Sequence, residues 1–347
     1  MKQSAFSRRT LLAALPGGLL SSRLLAQSSP ALRIEKINCF EIAVADVQRT
    51  VDFYQKLFGM PVQSRHGGRV CLRVGAGPAF MAVRRVESGE APSIVHLGYS
   101  VQDFDLVAMQ SVLEQQGFGR IEAPPLGQPG IAHPRRCWVR MRDGTPELYL
   151  SDDRGLIVQL SDGSYCGGSG ELGSLCPAPE QASPGLFQLH EINHFTAFVN
   201  DGAGANTFYQ QFFGLEVQAY QGANSPVTGI GDGKQFVMYA GGAQADRTVP
   251  ASLNHGCFNM PGFDVEAILT TLTANGLSAR PEGQRTAGPL MHYVSLRQPE
   301  RGGAVGGTPE LYFTDPDGLL MQLQDLSYCG GGGYLGNECL ARAVGAA

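Results

Sequence analysis

Residue types able to do chemistry recur in this chain in one fixed frame. Glu147 and Tyr149 lie in Gly144-Thr145-Pro146-Glu147-Leu148-Tyr149, followed by Asp152, Gly155 and Gln159 and then by Ser164-Tyr165-Cys166-Gly167-Gly168. Glu310 and Tyr312 lie in Gly307-Thr308-Pro309-Glu310-Leu311-Tyr312, followed by Asp315, Gly318 and Gln322 and then by Ser327-Tyr328-Cys329-Gly330-Gly331. Matched residues (147 and 310, 159 and 322, 166 and 329) are 163 positions apart. A repeat of that period that keeps its register is a duplicated domain. The copies can be read against each other: where they differ in titratable or metal-binding residues, one has kept a chemistry that the other has lost. Each copy closes on two cysteines ten apart in a Gly-rich segment, Cys166 with Cys176 and Cys329 with Cys339. In an oxidising compartment these read as two disulfides around small loops, each adding roughly 2–3 kcal/mol by loop closure. A zinc knuckle is the alternative, but C-x-x-C spacing is lacking.

The elements that must carry these residues follow from periodicity. Ile37 to Val44 alternates and is rich in strand formers. Asp46 caps a helix whose apolar face is Val47, Val51, Tyr54, Leu57 and Phe58, stopped by Gly59. Strand-like runs follow near Val70 to Val74 and Ala79 to Val83. The order then repeats: Ile94 to Val101 as strand, Phe104 to Gln116 as helix, and strands at Trp138 to Met141, Glu147 to Leu150 and Leu156 to Leu160. In the second copy Ile192 to Val199, Phe236 to Tyr239 and Leu253 to Met260 read as strands. Ala205 to Phe213 and Val265 to Asn275 read as helices. The plan is β-α-β-β-β four times, an α+β fold. Residues 33–176 form the first domain and 188–340 the second, with a Pro-rich linker over 177–187.

Four βαβββ modules paired two by two resemble the vicinal oxygen chelate superfamily, which includes glyoxalase I, extradiol ring-cleavage dioxygenases, and fosfomycin and bleomycin resistance proteins. The resemblance covers the chain after its first stretch. It implies two cupped mixed or antiparallel sheets with flanking helices, each cup built from two modules and able to hold one divalent metal. Members carry a His ligand on the first strand of a module; Ile192-Asn193-His194 and Leu253-Asn254-His255 fit. A third ligand follows an Asp-Pro-Asp-Gly turn; here Asp315-Pro316-Asp317-Gly318 leads to Gln322. The resemblance therefore implies a metal on His194, His255 and Gln322, with Fe(II) or Mn(II) favoured and Zn or Ni allowed. The extradiol signature matches Leu311 to Met321 but ends in Gln where Glu is usual. Its His has no match at the usual spacing; His292, on the strand before, is the substitute as a proton-moving residue. The loop Gln298 to Gly307 is an insertion relative to the first copy. Tyr312 would hydrogen-bond the substrate. An amide is a weaker ligand than a carboxylate for a first-row metal, though some glyoxalases are similar in using Gln.

The first copy has drifted. Its equivalents are Cys39, His96 and Gln159, and Cys137 falls where His292 falls. Cys39 and Cys137 read as buried thiols, Glu147 and Glu310 as strand-start residues beside a turn, and Arg84-Arg85 and Arg135-Arg136 as solvated surface.

The bulk numbers agree with a globular protein: 347 residues, 43% hydrophobic and 16% charged. Ser7-Arg8-Arg9-Thr10 ahead of Leu11-Leu12-Ala13-Ala14-Leu15 has the outline of a twin-arginine export signal over 1–28, which places the mature protein in the periplasm or outside. Without Lys2, Arg8, Arg9 and Arg23, 22 basic residues face 31 acidic ones, a net charge of −9. That argues against nucleic acid or an anionic membrane as partner. The expected partner is a small molecule, with O2 in the dioxygenase version; a homodimer is left open. The leading expectation is an exported single-metal enzyme, active in the second copy, that chelates two adjacent oxygens of its substrate. A glyoxalase-type lyase or isomerase and a metal-free ligand-binding protein are the alternatives.

Overall fold

The computed structural model describes residues 30–180, 182–231, 233–242 and 250–341. The twin-arginine segment lies outside them. Four modules follow in order. The first is β1 (Ile34–Val44), α1 (Val47–Phe58), β2 (Val62–His66), β3 (Arg69–Arg73) and β4 (Phe80–Arg85). The second is β5 (Ser93–Val101), α2 (Leu106–Gln115), β6 (Gly119–Arg120), β7 (Arg136–Arg142), β8 (Thr145–Ser151) and β9 (Ile157–Ser161). The third is β10 (Glu191–Phe198), α3 (Gly202–Phe213), β11 (Val217–Tyr220), β12 (Pro226–Gly229) and β13 (Phe236–Ala240). The fourth is β14 (Ser252–Met260), α4 (Val265–Ala274), β15 (Ser278–Ala279), β16 (Met291–Arg297), β17 (Thr308–Thr314) and β18 (Leu320–Asp325).

Each helix starts on an aspartate whose carboxylate takes an orphan backbone N–H: Asp46 from Arg49, Asp105 from Ala108, Asp201 from Gly204 and Asp264 from Ala267. Gly59 and Gly214 close α1 and α3 in the left-handed region, where a side chain would be strained. Strands β2, β11 and β12 carry few of the alternating apolar residues that mark a strand; their place comes from pairing, β2 with β3, β11 with β12 and β12 with β13. The two-residue strands β6 and β15 pair parallel to β7 and β16, which adds a short element to modules two and four.

Within each half, the first strands of the two modules pair antiparallel, β1 with β5 and β10 with β14. Each then pairs parallel with the last strand of its own module, β1 with β4, β5 with β9, β10 with β13 and β14 with β18. The outcome is two curved sheets of like order, 2-3-4-1-5-9-8-7-6 and 11-12-13-10-14-18-17-16-15, joined where Leu253 of β14 meets Ile94 of β5. One face of each sheet feeds a single apolar core that runs through both halves. Phe40 meets Phe195 and Phe258 across the join, with ring centroids 5.1 and 5.9 Å apart. The segment after the first half packs back on it: Glu180 N–H bonds Val62 O and Phe187 N–H bonds Leu57 O. Both cysteine pairs are disulfides, each with Cα atoms 6.3 Å apart.

Candidate metal centre

Strand alternation sorts the second half's residues onto two faces. Phe195, Leu311, Phe313, Met321 and Leu323 enter the core. Their neighbours His194, Tyr312 and Gln322 face the concave side and line a cavity of about 390 Å3, together with His255. One rung of the sheet orders the site: His194 lies opposite Cys257, Cys257 opposite Gln322, Gln322 opposite Tyr312, and Tyr312 opposite Tyr293. His255 is set beside that rung, across from Thr196.

The hydrogen bonds decide what the imidazoles can do. Asn193 donates its amide N–H to the Tyr328 carbonyl (3.1 Å), which turns its oxygen toward His194. His194 Nδ1 is 2.8 Å from that oxygen, and His255 Nδ1 is 2.8 Å from Asn254 Oδ1. An amide oxygen only accepts, so each Nδ1 carries the proton and each Nε2 keeps its lone pair. His194 Nε2 points at Gln322 Oε1, 3.1 Å away, and the Gln322 side chain also reaches His255. Lone pairs that face one another need a proton, a metal ion, or a turned Gln322 amide N–H between them. The proton is disfavoured: burial and the neighbouring His255 hold His194 well below its ordinary value, and burial holds His255 down to about 4. Gln322 Nε2 is buried without a partner. Among the described residues no cluster of three or more His, Cys, Asp or Glu is arranged to hold a metal. The donor set here is two neutral imidazoles and an amide, and these convergent acceptors fit a divalent cation.

Glu310 organises the wall beside them. It accepts from Arg297 Nε at 2.8 Å, from Tyr312 OH at 3.2 Å and from Tyr328 OH at 3.3 Å. Burial and this carboxylate push the Tyr312 hydroxyl far up, so it keeps its proton. Tyr312 meets the His255 ring edge-on and stacks on Tyr293, with centroids 5.3 and 4.9 Å away. Glu310 and Glu147 are therefore cup residues rather than strand-start residues at a turn. Their fixed place two positions before a cup-facing Tyr was the available signal. Arg297 and Cys257 carried no signal in the sequence, and Tyr328 was marked only by its place in the repeat.

His292 is not in the cup. It pairs with Phe313 on the core face, and its Nε2 is 2.8 Å from Thr273 Oγ1 on α4. Alternation along β16 puts Tyr293 in the cup and His292 behind the sheet. Cys137, its counterpart, is likewise buried in the core.

The first cup is filled by charge. Cys39, Gly98, Gln159, Tyr149 and Trp138 form the equivalent rung. Cys39 Sγ lies so close that a Cβ on Gly98 would be 2.4 Å from it. Asn38 still donates to the Tyr165 carbonyl, yet its Oδ1 has no partner, because the residue after it is Cys39 and not His. His96 Nε2 lies 3.2 Å from Gln159 Oε1 and burial holds the ring down to about 4. In the second half the His194 ring stacks on Phe236 at 4.2 Å; over the equivalent Phe80 sits the Arg69 guanidinium, 5.6 Å from the ring centre. Arg69 binds Glu41 at 3.1 Å and Glu147 at 2.8 Å, and Arg142 and Arg84 complete the network. A fixed cation thus takes the space of the ligand ring, and the remaining cavity is about 40 Å3. Arg84 is only 4% exposed and bound to Glu41 and Glu90, which corrects its reading as solvated surface. Arg135 lies over Phe118, 4.9 Å from its ring centre.

Residues 36–125 match the sequence model of the Glyoxalase/Bleomycin resistance protein/Dioxygenase superfamily. No curated protein sequence matches the chain. Among solved structures it is similar to the Mn(II)-bound glyoxalase from Novosphingobium aromaticivorans, at 15% identity and a TM-score of 0.55, over 84% of this chain and 82% of the other. It is equally similar to homoprotocatechuate 2,3-dioxygenase from Brevibacterium fuscum in complex with 3,4-dihydroxyphenylacetate, at 15% identity and a TM-score of 0.55, over 86% of this chain and 83% of the other. The sequence match is confined to the first half, and the whole chain has the fold of these two structures, four βαβββ modules in two cups.

Proposed function

We propose that the second cup holds one divalent metal ion on His194, His255 and Gln322 and that the protein is an enzyme acting on a planar substrate with two adjacent oxygens, in the manner of an extradiol dioxygenase. The observation that carries this reading is the pair of Asn–His contacts, which turns two Nε2 lone pairs toward the Gln322 carboxamide in one space. All three donors are neutral, so a bound ion keeps its full double charge. It supplies Lewis acidity that lowers the pKa of chelating oxygens. The chain does the rest. The stacked Tyr293 and Tyr312 line the cavity as one aromatic side. Tyr312 gives its proton to Glu310 as a hydrogen bond and keeps lone pairs to accept one from a substrate hydroxyl.

A second reading rests on Glu310. It is a carboxylate in a cup that has lost His292, and it could take a proton from a carbon acid in a glyoxalase-type isomerisation. Oxygen uptake separates the two readings. The test of both is elemental analysis with an oxygen electrode and a set of catechols and hydroquinones. The wild type is expected to hold about one ion per chain, and His255→Ala to lose both the ion and turnover. Full activity in that variant would sink the site.

A further inference from the structure

The rim of the second cup carries charge that the metal reading does not use. The protein as a whole is acidic, with 31 acidic and 26 basic residues. The lining of this cavity runs the other way. Its charged residues are Arg280, Arg301 and Glu310, and Glu310 is already bound to Arg297. The Arg280 guanidinium lies flat over Tyr293, 3.6 Å from the ring centre, and Nη1 donates to the Arg285 carbonyl. Stacking leaves its other N–H groups free to bind a ligand in the plane. Neither Arg280 nor Arg301 pairs with a carboxylate among the described residues.

The comparison between the cups is an independent observation. Arg280 N–H bonds the His292 carbonyl, and Ile121 N–H bonds the Cys137 carbonyl in the same way, so Ile121 is the equivalent residue of the closed cup. Arg301 stands on the 298–307 loop, which the first half lacks: there Arg142 and Thr145 are separated by two residues, while Arg297 and Thr308 are separated by ten. Both cations thus belong only to the half with the open cavity. From the candidate ligands outward the order is His255, Tyr312, Tyr293, Arg280, each in contact with the next. That is an aromatic wall with a metal-binding end and a cationic end.

We propose that the substrate is a planar molecule bearing a carboxylate at the end remote from its paired oxygens, with that carboxylate bound by Arg280. This rests on the metal reading of the same cup. The test uses the full metal-loaded protein and three isosteric probes: 3,4-dihydroxyphenylacetate, its neutral amide, and the cationic 3,4-dihydroxyphenylethylamine. Dissociation constants are measured anaerobically by calorimetry, after the metal content of each preparation. The acid is expected to bind about tenfold or more tighter than the amide, with the amine weakest and the gap narrowing as salt rises. Arg280→Met should erase the preference without changing metal content, and Arg301→Gln, beside the other end of β16, should leave most of it. Arg280 is partly exposed, so a melting curve suffices to show that the variant is folded. Protein that holds metal but binds the three probes equally, prefers the amine, or binds none overturns the inference alone. Protein that holds no metal overturns the metal reading and this inference with it.

Discussion

At the residue scale, a histidine becomes a candidate ligand through its partner. His194 and His255 each follow an asparagine, and each gives that asparagine its Nδ1 proton. A residue beside its neighbour in sequence rarely meets it across a strand, since successive side chains point to opposite faces. Here the Asn193 amide is held by the Tyr328 carbonyl on another segment, so its oxygen can bend back to the ring. Without that bond the imidazole is free to take the other tautomer and lose its Nε2 lone pair. Asn193→Ala is therefore expected to lower metal affinity by about 10–100-fold, the usual effect of removing such a support. Asn193→Asp still accepts from Nδ1 but loses the N–H that the Tyr328 carbonyl holds, so it should restore only part of the affinity. Metal titration against a competing chelator reads this directly. Unchanged affinity in the alanine variant would mean that the asparagine does not set the tautomer.

At the element scale, the Gly-rich hairpin closed by Cys329 and Cys339 is part of the cup rather than a tail. Its Gly331 carbonyl accepts from Arg297 Nη2 at 2.8 Å, and Tyr328 just before it bonds Glu310. Gly336 packs so close to the Tyr328 ring that a Cβ there would lie 2.4 Å from it. The hairpin thus holds the Arg297–Glu310 pair from behind. Replacing Cys329 and Cys339 by Ser should cost roughly 3 kcal/mol through the freed loop. It should also weaken binding in the second cup, because a loosened Tyr328 releases both Glu310 and Asn193. The matching change at Cys166 and Cys176 should cost similar stability and leave that cup unaltered. Denaturant melts and metal affinity on the two double variants decide it. Equal effects on metal affinity would refute the link.

At the scale of the molecule, the two halves clasp each other through the turns that precede their last strands. Asp317 accepts from Arg49 at 2.9 Å at the start of α1, and Arg154 binds Asp201 at 3.2 Å at the start of α3. The first aspartates of those turns are buried: Asp152 accepts from Tyr209 OH at 3.2 Å, and Asp315 is pushed up to about 7 by burial. A carboxyl whose folded value is raised contributes stability that is complete below its ordinary value and is lost as pH rises through the folded one. The buried histidines act the other way. His96 and His255, held down to about 4, contribute stability above their ordinary 6.5 that is lost as pH falls toward 4. The windows overlap, so Asp315 must be read by difference. Relative to wild type, Asp315→Asn is expected to gain on the order of 3 kcal/mol near pH 8 and almost none near pH 4. A gap that does not vary with pH would show that Asp315 is ionised throughout.

By itself the sequence determined the duplication, the family of the fold, the helix starts and stops such as Asp46 and Gly59, and the cysteine pairs. These are local patterns or repeats, and neighbouring residues suffice to read them. It also put His194, His255 and Gln322 on strands. Only the tertiary structure decided which faces those strands turn to one another. On β16 polar and apolar residues mix on both faces, so the parity that sends Tyr293 into the cup and His292 behind it was not legible. The fate of the first cup was equally hidden. Arg69, Arg84, Glu41 and Glu147 come from four different strands, and buried charges are tolerated only when all partners arrive together. No stretch of chain read alone carries that information, because the pairing exists only once the sheet has closed around it.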